Sequence, residues 1–262
     1  MSTEQQLNHK YGSRFFLLDN PIANKALSII CQKTCKQPSL GSLLVDCYRI
    51  LINSAISKYI SLEETHYETR MIDIHPKESR VKADLLTDQQ KLIVSSLIRA
   101  GSIPSQFCFN HLTKYFNPDL VRQDFLVLNR STDKDNKVLG ADLWSVKIGG
   151  PINDSIVFLP DPMGATGSTI LKTLEAYKQY GEPKNIIALH LIVTPEYLKK
   201  VIAETPDNVI IFALRVDRGF SSPEVLAAEP GEFWDQEAGL NKHSYIVPGA
   251  GGLGEVLNNS FV

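Results

Sequence analysis

Between Ile156 and Thr169 the chain reads Ile-Val-Phe-Leu-Pro-Asp-Pro-Met-Gly-Ala-Thr-Gly-Ser-Thr. An apolar strand stops at an acid, Asp161, turns through small residues and opens directly into an amphipathic helix. Ile170, Leu174 and Tyr177 share one face of that helix, and Gly181 closes it. At such a junction the amides of Ala165 to Thr169 converge on the helix N-terminus. Unpaired donors and the positive dipole end together attract an anion there, best a phosphate. Gly164 and Gly167 allow positive φ and a close ligand approach, while Thr166, Ser168 and Thr169 add hydroxyl donors. The plainer alternative is a strand, a turn and a helix capped by Ser or Thr. A second glycine-rich stretch runs Tyr245-Ile246-Val247-Pro248-Gly249-Ala250-Gly251-Gly252-Leu253-Gly254-Glu255. On its residues alone it could equally be a surface loop.

These stretches need elements to position them. Asn24 to Cys35 and Ser39 to Ile60 carry apolar residues at helical spacing, so the N-terminal third reads as helical. A strand pair is expected over Thr69 to His75 and Ser79 to Ala83. Leu92 to Ile98, Phe125 to Leu128 and Ile156 to Leu159 read as strands. Ile186 to Val193 and Val209 to Leu214 are near-continuous apolar runs, as strands covered on both faces require. Between them Thr194-Pro195 opens a helix with a hydroxyl cap and Pro at its first position. Alternating strands and helices predict a mostly parallel α/β sheet, whose ligand site lies beyond the carboxyl ends of its strands. Arg99, Asn129-Arg130 and Asp161 all fall just past strand ends, which predicts one shared pocket. His190, inside an apolar run, reads as a hydrogen-bonded core residue.

Composition narrows the classes. At 262 residues with 43% hydrophobic content, the chain fits one α/β domain with elaborations. A formal net charge of −2 gives no global attraction to nucleic acid or anionic membrane, so neither partner is expected. No apolar run approaches a membrane span and the polar first residues do not read as a secretion signal, so a cytoplasmic protein is expected. Cys31, Cys35, Cys47 and Cys108 lack a disulfide or zinc spacing and read as idle thiols. Residues 1–18 read as a loose tail before a domain spanning 19–262. Residues 131–151 suggest a β-arm or lid, and 217–241, rich in Pro, Gly and acids, an insertion.

The two motifs, with Leu97-Ile98-Arg99-Ala100-Gly101 and Leu128-Asn129-Arg130 between them and the N-terminus, resemble type I phosphoribosyltransferases. Asp161-Pro162-Met163 and Ala165-Thr166-Gly167 resemble the uracil phosphoribosyltransferase family in particular. The resemblance implies a mostly parallel central sheet flanked by helices, with N-terminal helices and a β-arm or hood. It implies transfer of a phosphoribosyl group from phosphoribosyl pyrophosphate (PRPP) to uracil, giving UMP and pyrophosphate. PRPP would be held by Arg99, Arg130, Asp161, Pro162, Met163, Gly164, Ala165, Thr166, Gly167, Ser168, Thr169 and Gly252. Of these Arg99 and Arg130 would face the pyrophosphate, and Asp161 the ribose hydroxyls. Uracil would be read by Ile246 and the turn Gly251-Gly252-Leu253, with Tyr245 and Met163 in apolar contact. Mg²⁺ is expected with PRPP rather than on a dedicated protein site, and a homo-oligomer, a dimer or larger, is expected.

The chain also departs from the family. Gly252 stands where the family has an aspartate that contacts PRPP, and Glu255 lies three residues beyond. Two alternatives therefore stay open: a different acceptor base, or a catalytically weak homologue that binds PRPP or a nucleotide as a sensor.

Overall fold

In a computed structural model the described residues are 6–132 and 138–260. A central sheet collects β1 (Phe15–Leu17), β4 (Leu92–Ile98), β5 (Val121–Thr132), β6 (Val138–Lys147), β7 (Ile156–Pro160), β8 (Met163–Gly164), β9 (Asn185–Val193) and β10 (Val209–Val216). Its order is β1-β10-β9-β7-β4-β5-β6, with β8 pairing beside the end of β9. Every pairing is parallel except β5 with β6. The helices are α1 (Pro21–Ile30), α2 (Ser39–Tyr59), α3 (Ser102–Tyr115), α4 (Ser168–Tyr177), α5 (Pro195–Glu204), α6 (Pro223–Ala227) and α7 (Leu253–Leu257). A separate hairpin pairs β2 (Leu62–Glu68) with β3 (Arg80–Leu86).

The continuous apolar strands have the cause expected of them. Ile156 and Phe158 of β7 join α1, α2 and α3 in one core, whereas Val157 and Leu159 join α4 and α5 in another. Helix starts follow local chemistry: the Asn20 side chain accepts from the amides of Ile22 and Ala23, and Thr194 Oγ1 accepts from Tyr197 N.

Three expectations need correction. The strand pair lies at 62–68 and 80–86 rather than 69–75 and 79–83. Both of its faces are largely exposed, so no apolar alternation marked its ends. Helix α3 carries no clear apolar periodicity in the sequence, because its buried face, Cys108, His111 and Leu112, mixes polar with apolar residues. The segment from Gln6 to Leu18 is packed rather than loose: Tyr11, Phe15 and Leu17 are buried and β1 extends the sheet beside β10. Finally, α2 is long and apolar enough to cross a membrane by length and composition. Its Leu40, Leu44, Cys47, Leu51 and Ile52 are instead buried in the core of one sheet face. The 131–151 stretch is largely the β5–β6 arm, and residues 133–137 within it lie outside the described ones.

Candidate active site

The carboxyl ends of β4 and β7 open onto a cavity of about 240 Å³. One wall is the junction after β7. The backbone passes Asp161, lies briefly beside β9 as β8, and turns into α4. Asp161 Oδ1 accepts from Met163 N at 3.3 Å, and its carbonyl faces His190 Nδ1 at 2.5 Å. A carbonyl can only accept, so Nδ1 carries the proton and Nε2 accepts from Tyr197 OH at 2.6 Å. Burial pushes the His190 pKa down to about 4, against the smaller opposing effect of the Asp161 carbonyl, so the ring is neutral at physiological pH. The Tyr197 ring lies against Gly164, where a Cβ would come within 3.3 Å of it.

Gly167 sits at the N-cap of α4 in the left-handed region, φ +80°, and no side chain caps the helix. The Ser/Thr-capped alternative is therefore not the one adopted. Of the five amides expected to converge, two are engaged within the turn: Ala165 N donates to Met163 O at 3.1 Å, and Ser168 N to Thr166 Oγ1 at 3.4 Å. Those of Thr166, Gly167 and Thr169 have no protein hydrogen bond among the described residues. Orphan amides at a helix N-terminus remain a site for an anion.

The opposite wall comes from the glycine-rich stretch. Tyr245, Ile246, Gly251, Gly252 and Leu253 line the cavity, together with Arg99, Asp161, Met163, Ala165, Thr166, Gly167, Ser168 and Thr169. Pro162 and Gly164 are buried behind that lining. Asn129 and Arg130 lie inside β5 rather than just past a strand end, because that strand runs on as one side of the β5–β6 arm. The Arg130 backbone pairs with Ala141, and its side chain falls outside what is described. Arg99, about half exposed, donates to Glu255 Oε1 at 3.2 Å and to Ser260 Oγ at 3.1 Å.

Glu255 also lines the cavity. The short α7 folds it back toward Gly252, which spacing along the sequence did not reveal. Tyr197 was missed as well, because within the amphipathic helix its position cannot be told from a core position. His190 is the hydrogen-bonded core residue expected of it.

A mostly parallel sheet flanked by helices, with an uncapped helix start facing a glycine-rich wall across one cavity, defines a type I phosphoribosyltransferase. The chain belongs to the uracil phosphoribosyltransferase family, whose sequence profile matches residues 17–236. A uracil phosphoribosyltransferase of Thermosipho melanesiensis is 28% identical over 241 residues, 92% of this chain and 96% of that protein. One from Thermococcus sibiricus is 33% identical over 188 residues, 72% of this chain and 68% of that protein. The structure of the AQ2163 protein from Aquifex aeolicus shares the fold, with a TM-score of 0.69 at 23% identity over 93% of this chain and 97% of that one.

Proposed function

We propose that the chain transfers the phosphoribosyl group of PRPP to uracil, releasing UMP and pyrophosphate. The observation that carries this reading is the cavity that Asp161, the 165–169 turn, Arg99, Ile246 and the 251–253 turn line together. The amides and hydroxyls of the 166–169 turn bind the 5′-phosphate, and the Asp161 carboxylate takes hydrogen bonds from the ribose hydroxyls. Arg99 and Arg130 face the pyrophosphate and stabilise charge building on the leaving group. Uracil offers two carbonyl acceptors flanking an N–H donor. The Ile246 peptide and the 251–253 turn read that pattern, with Tyr245 and Met163 in apolar contact. Placement and electrostatics suffice, and no covalent nucleophile is required.

Mg²⁺ fits these residues as a partner of PRPP. Among the described residues no group of three His, Cys, Asp or Glu side chains forms a metal site. Mg²⁺ commonly takes phosphate oxygens, waters and one or two carboxylates. Asp161 and Glu255 are the carboxylates that line the cavity where it would sit. When bound it would neutralise pyrophosphate charge.

An oligomer, a dimer or larger, would cover the β2–β3 hairpin, where Leu62, Tyr67, Met71 and Ile74 are exposed and which as an isolated ribbon is marginal in water. Light scattering after size exclusion measures that state directly. Free thiols at Cys31, Cys35, Cys47 and Cys108 fit a reducing cytoplasm.

The test of function is an assay with purified protein, labelled uracil, PRPP and Mg²⁺, scoring UMP by chromatography. UMP that vanishes when PRPP is omitted establishes the reaction. Gly252 on the cavity wall favours a second reading, a different acceptor base, and a panel of free bases decides it. PRPP binding by calorimetry without any product would mark a sensor.

A further inference from the structure

The wall that reads the base does not hold itself in place. Val247 N donates to Gly239 O at 2.8 Å, Asn241 N donates to Tyr245 O at 2.9 Å, and the Asn241 side chain accepts from Tyr245 N at 3.0 Å. Leu240 and Ile246 face each other between these bonds as an isolated antiparallel bridge. In such a bridge the central peptide groups point out of the ladder. Among the described residues the Ile246 amide and carbonyl have no hydrogen-bond partner, and Ile246 lines the cavity.

Two carboxylates outside the cavity fix the strand on which that bridge depends. Glu196, in the first turn of α5, accepts from Gly239 N through both oxygens at 2.9 and 3.1 Å, and from Leu240 N at 3.1 Å. Asp217 is 2% exposed, and its Oδ2 accepts from Gly249 N at 2.6 Å. Arg215 grips both Asp217 oxygens, Nε to Oδ1 at 2.5 Å and Nη2 to Oδ2 at 2.9 Å, and reaches Gly249 O at 3.4 Å. Gly219 N donates to Val247 O at 2.9 Å from the same segment. At Gly249, φ is +62° and an added Cβ would lie 2.2 Å from Ile246 O, so the turn admits only glycine.

We infer that Glu196 and Asp217 are positioning residues for base recognition, aiming the Ile246 peptide from opposite ends of the 239–249 stretch. This deepens the uracil reading above and rests on it. It also makes the 217–241 segment the frame of the base-binding wall.

The test compares Glu196→Gln, Glu196→Ala and Asp217→Asn with wild type. Uracil KM and PRPP KM are measured separately, and hydrogen exchange is followed at the 245–251 amides. The uracil KM should rise about tenfold, as weakening a charge-assisted bond predicts, while the PRPP KM stays within about twofold. Exchange should quicken at 245–251 and not in β7 or β9. Glu196→Gln keeps an acceptor and should fall between wild type and Glu196→Ala. Parallel rises in both KM values, or faster exchange spread over the sheet, would reduce the two acids to general stability and overturn the inference. Unchanged exchange at 245–251 would do the same. Should Asp217→Asn fail to fold, Glu196→Gln at its half-buried site carries the test. If wild type makes no UMP, the uracil reading fails, and the exchange comparison still decides whether the acids position this wall.

Discussion

The two walls of the cavity are built by different means. On the phosphate side the turn carries short bonds of its own, Met163 N to the Asp161 carboxylate, Ala165 N to Met163 O and Ser168 N to Thr166 Oγ1, each two residues apart. It is otherwise docked on the adjacent strand β9 and its end, through Leu191 N to Pro162 O, Thr194 N to Gly164 O and Thr194 Oγ1 to Ala165 O. On the base side the fixing bonds reach across 32 residues from Asp217 to Gly249 and 43 from Glu196 to Gly239. A turn between a buried strand and an amphipathic helix is shaped by its neighbours in sequence and by the sheet strand it lies beside. A glycine-rich loop loses much conformational freedom on ordering and has few side chains to fix it, so distant parts of the fold must hold it. Changes in the phosphate wall should therefore strike chemistry and PRPP binding directly. Changes around the base wall should act on uracil through position.

The sharpest way to break this contrast is Asp161→Asn. Asn keeps an oxygen for the Met163 amide, so the turn should survive while the carboxylate charge is lost. A fall in kcat of about 10²- to 10³-fold is expected, the range seen when one group that stabilises a transition state is removed. Its melting temperature should stay near wild type. Near-normal turnover would remove Asp161 from the site.

Next comes Gly167→Val. Gly167 has φ +80°, and a Cβ there would lie 2.9 Å from Val201 Cγ2. A β-branched residue should cost about 1–2 kcal/mol for the left-handed backbone alone. The distorted turn should raise PRPP KM by about 10- to 100-fold, equivalent to losing one or two charge-assisted hydrogen bonds. Uracil KM should change little. If the two constants moved together, the walls would not be independent.

The same contrast explains what could be read from the sequence. The strand, acid, turn and helix around Asp161 lie in one contiguous run, so periodicity and small residues exposed them. The central strands showed themselves as unbroken apolar runs because both faces are covered. Glu196, Asp217 and Tyr197 carry no such signal: each acts through a partner brought near only by the fold. Glu255 is an intermediate case, visible in the motif but placed in the cavity only by the turn of α7. Gln6 to Leu18 misled because its polar residues hide Tyr11, whose hydroxyl donates to the buried Glu237 at 2.5 Å, 226 positions away.

Behind the phosphate wall, His190 offers a test by pH. Its pKa is held at about 4 in the fold against 6.5 for an ordinary histidine. Below pH 6.5 the unfolded chain takes up a proton that the folded chain refuses, so stability falls as pH drops toward 4. The loss should reach about 3 kcal/mol. His190→Asn can still donate to the Asp161 carbonyl but leaves Tyr197 OH without its acceptor, at a cost of about 1–3 kcal/mol near neutrality. It should also flatten the stability curve between pH 6.5 and 4. His9 and His111, whose pKa values burial also lowers, are present in both proteins, so the difference between the two curves isolates His190. Denaturant titrations at several pH values measure it; parallel curves would show that His190 is not the neutral post beneath Asp161.

The smallest effect is expected from Gly252→Asp, and it probes where the walls meet. At φ −78° and ψ 70° the backbone of Gly252 accepts an L residue without strain, so any change belongs to the carboxylate. The new charge would enter a cavity already lined by Asp161, Glu255 and Arg99. Without Mg²⁺ a further acid repels PRPP; with Mg²⁺ it adds a ligand or a partner for the hydrated ion. PRPP KM at saturating Mg²⁺ should fall about two- to fivefold, less than one full charge-assisted bond because the site is open to solvent. Calorimetric affinity for PRPP should rise only when Mg²⁺ is present. Glu255 sets the alternative: if it already does the work of the missing aspartate, Gly252→Asp changes nothing and Glu255→Gln alone weakens PRPP binding. Should both substitutions matter, and Gly252→Asp offset Glu255→Gln in the double variant, one acid on this wall serves the site. The chain would then have moved that acid by one turn of α7 rather than lost it.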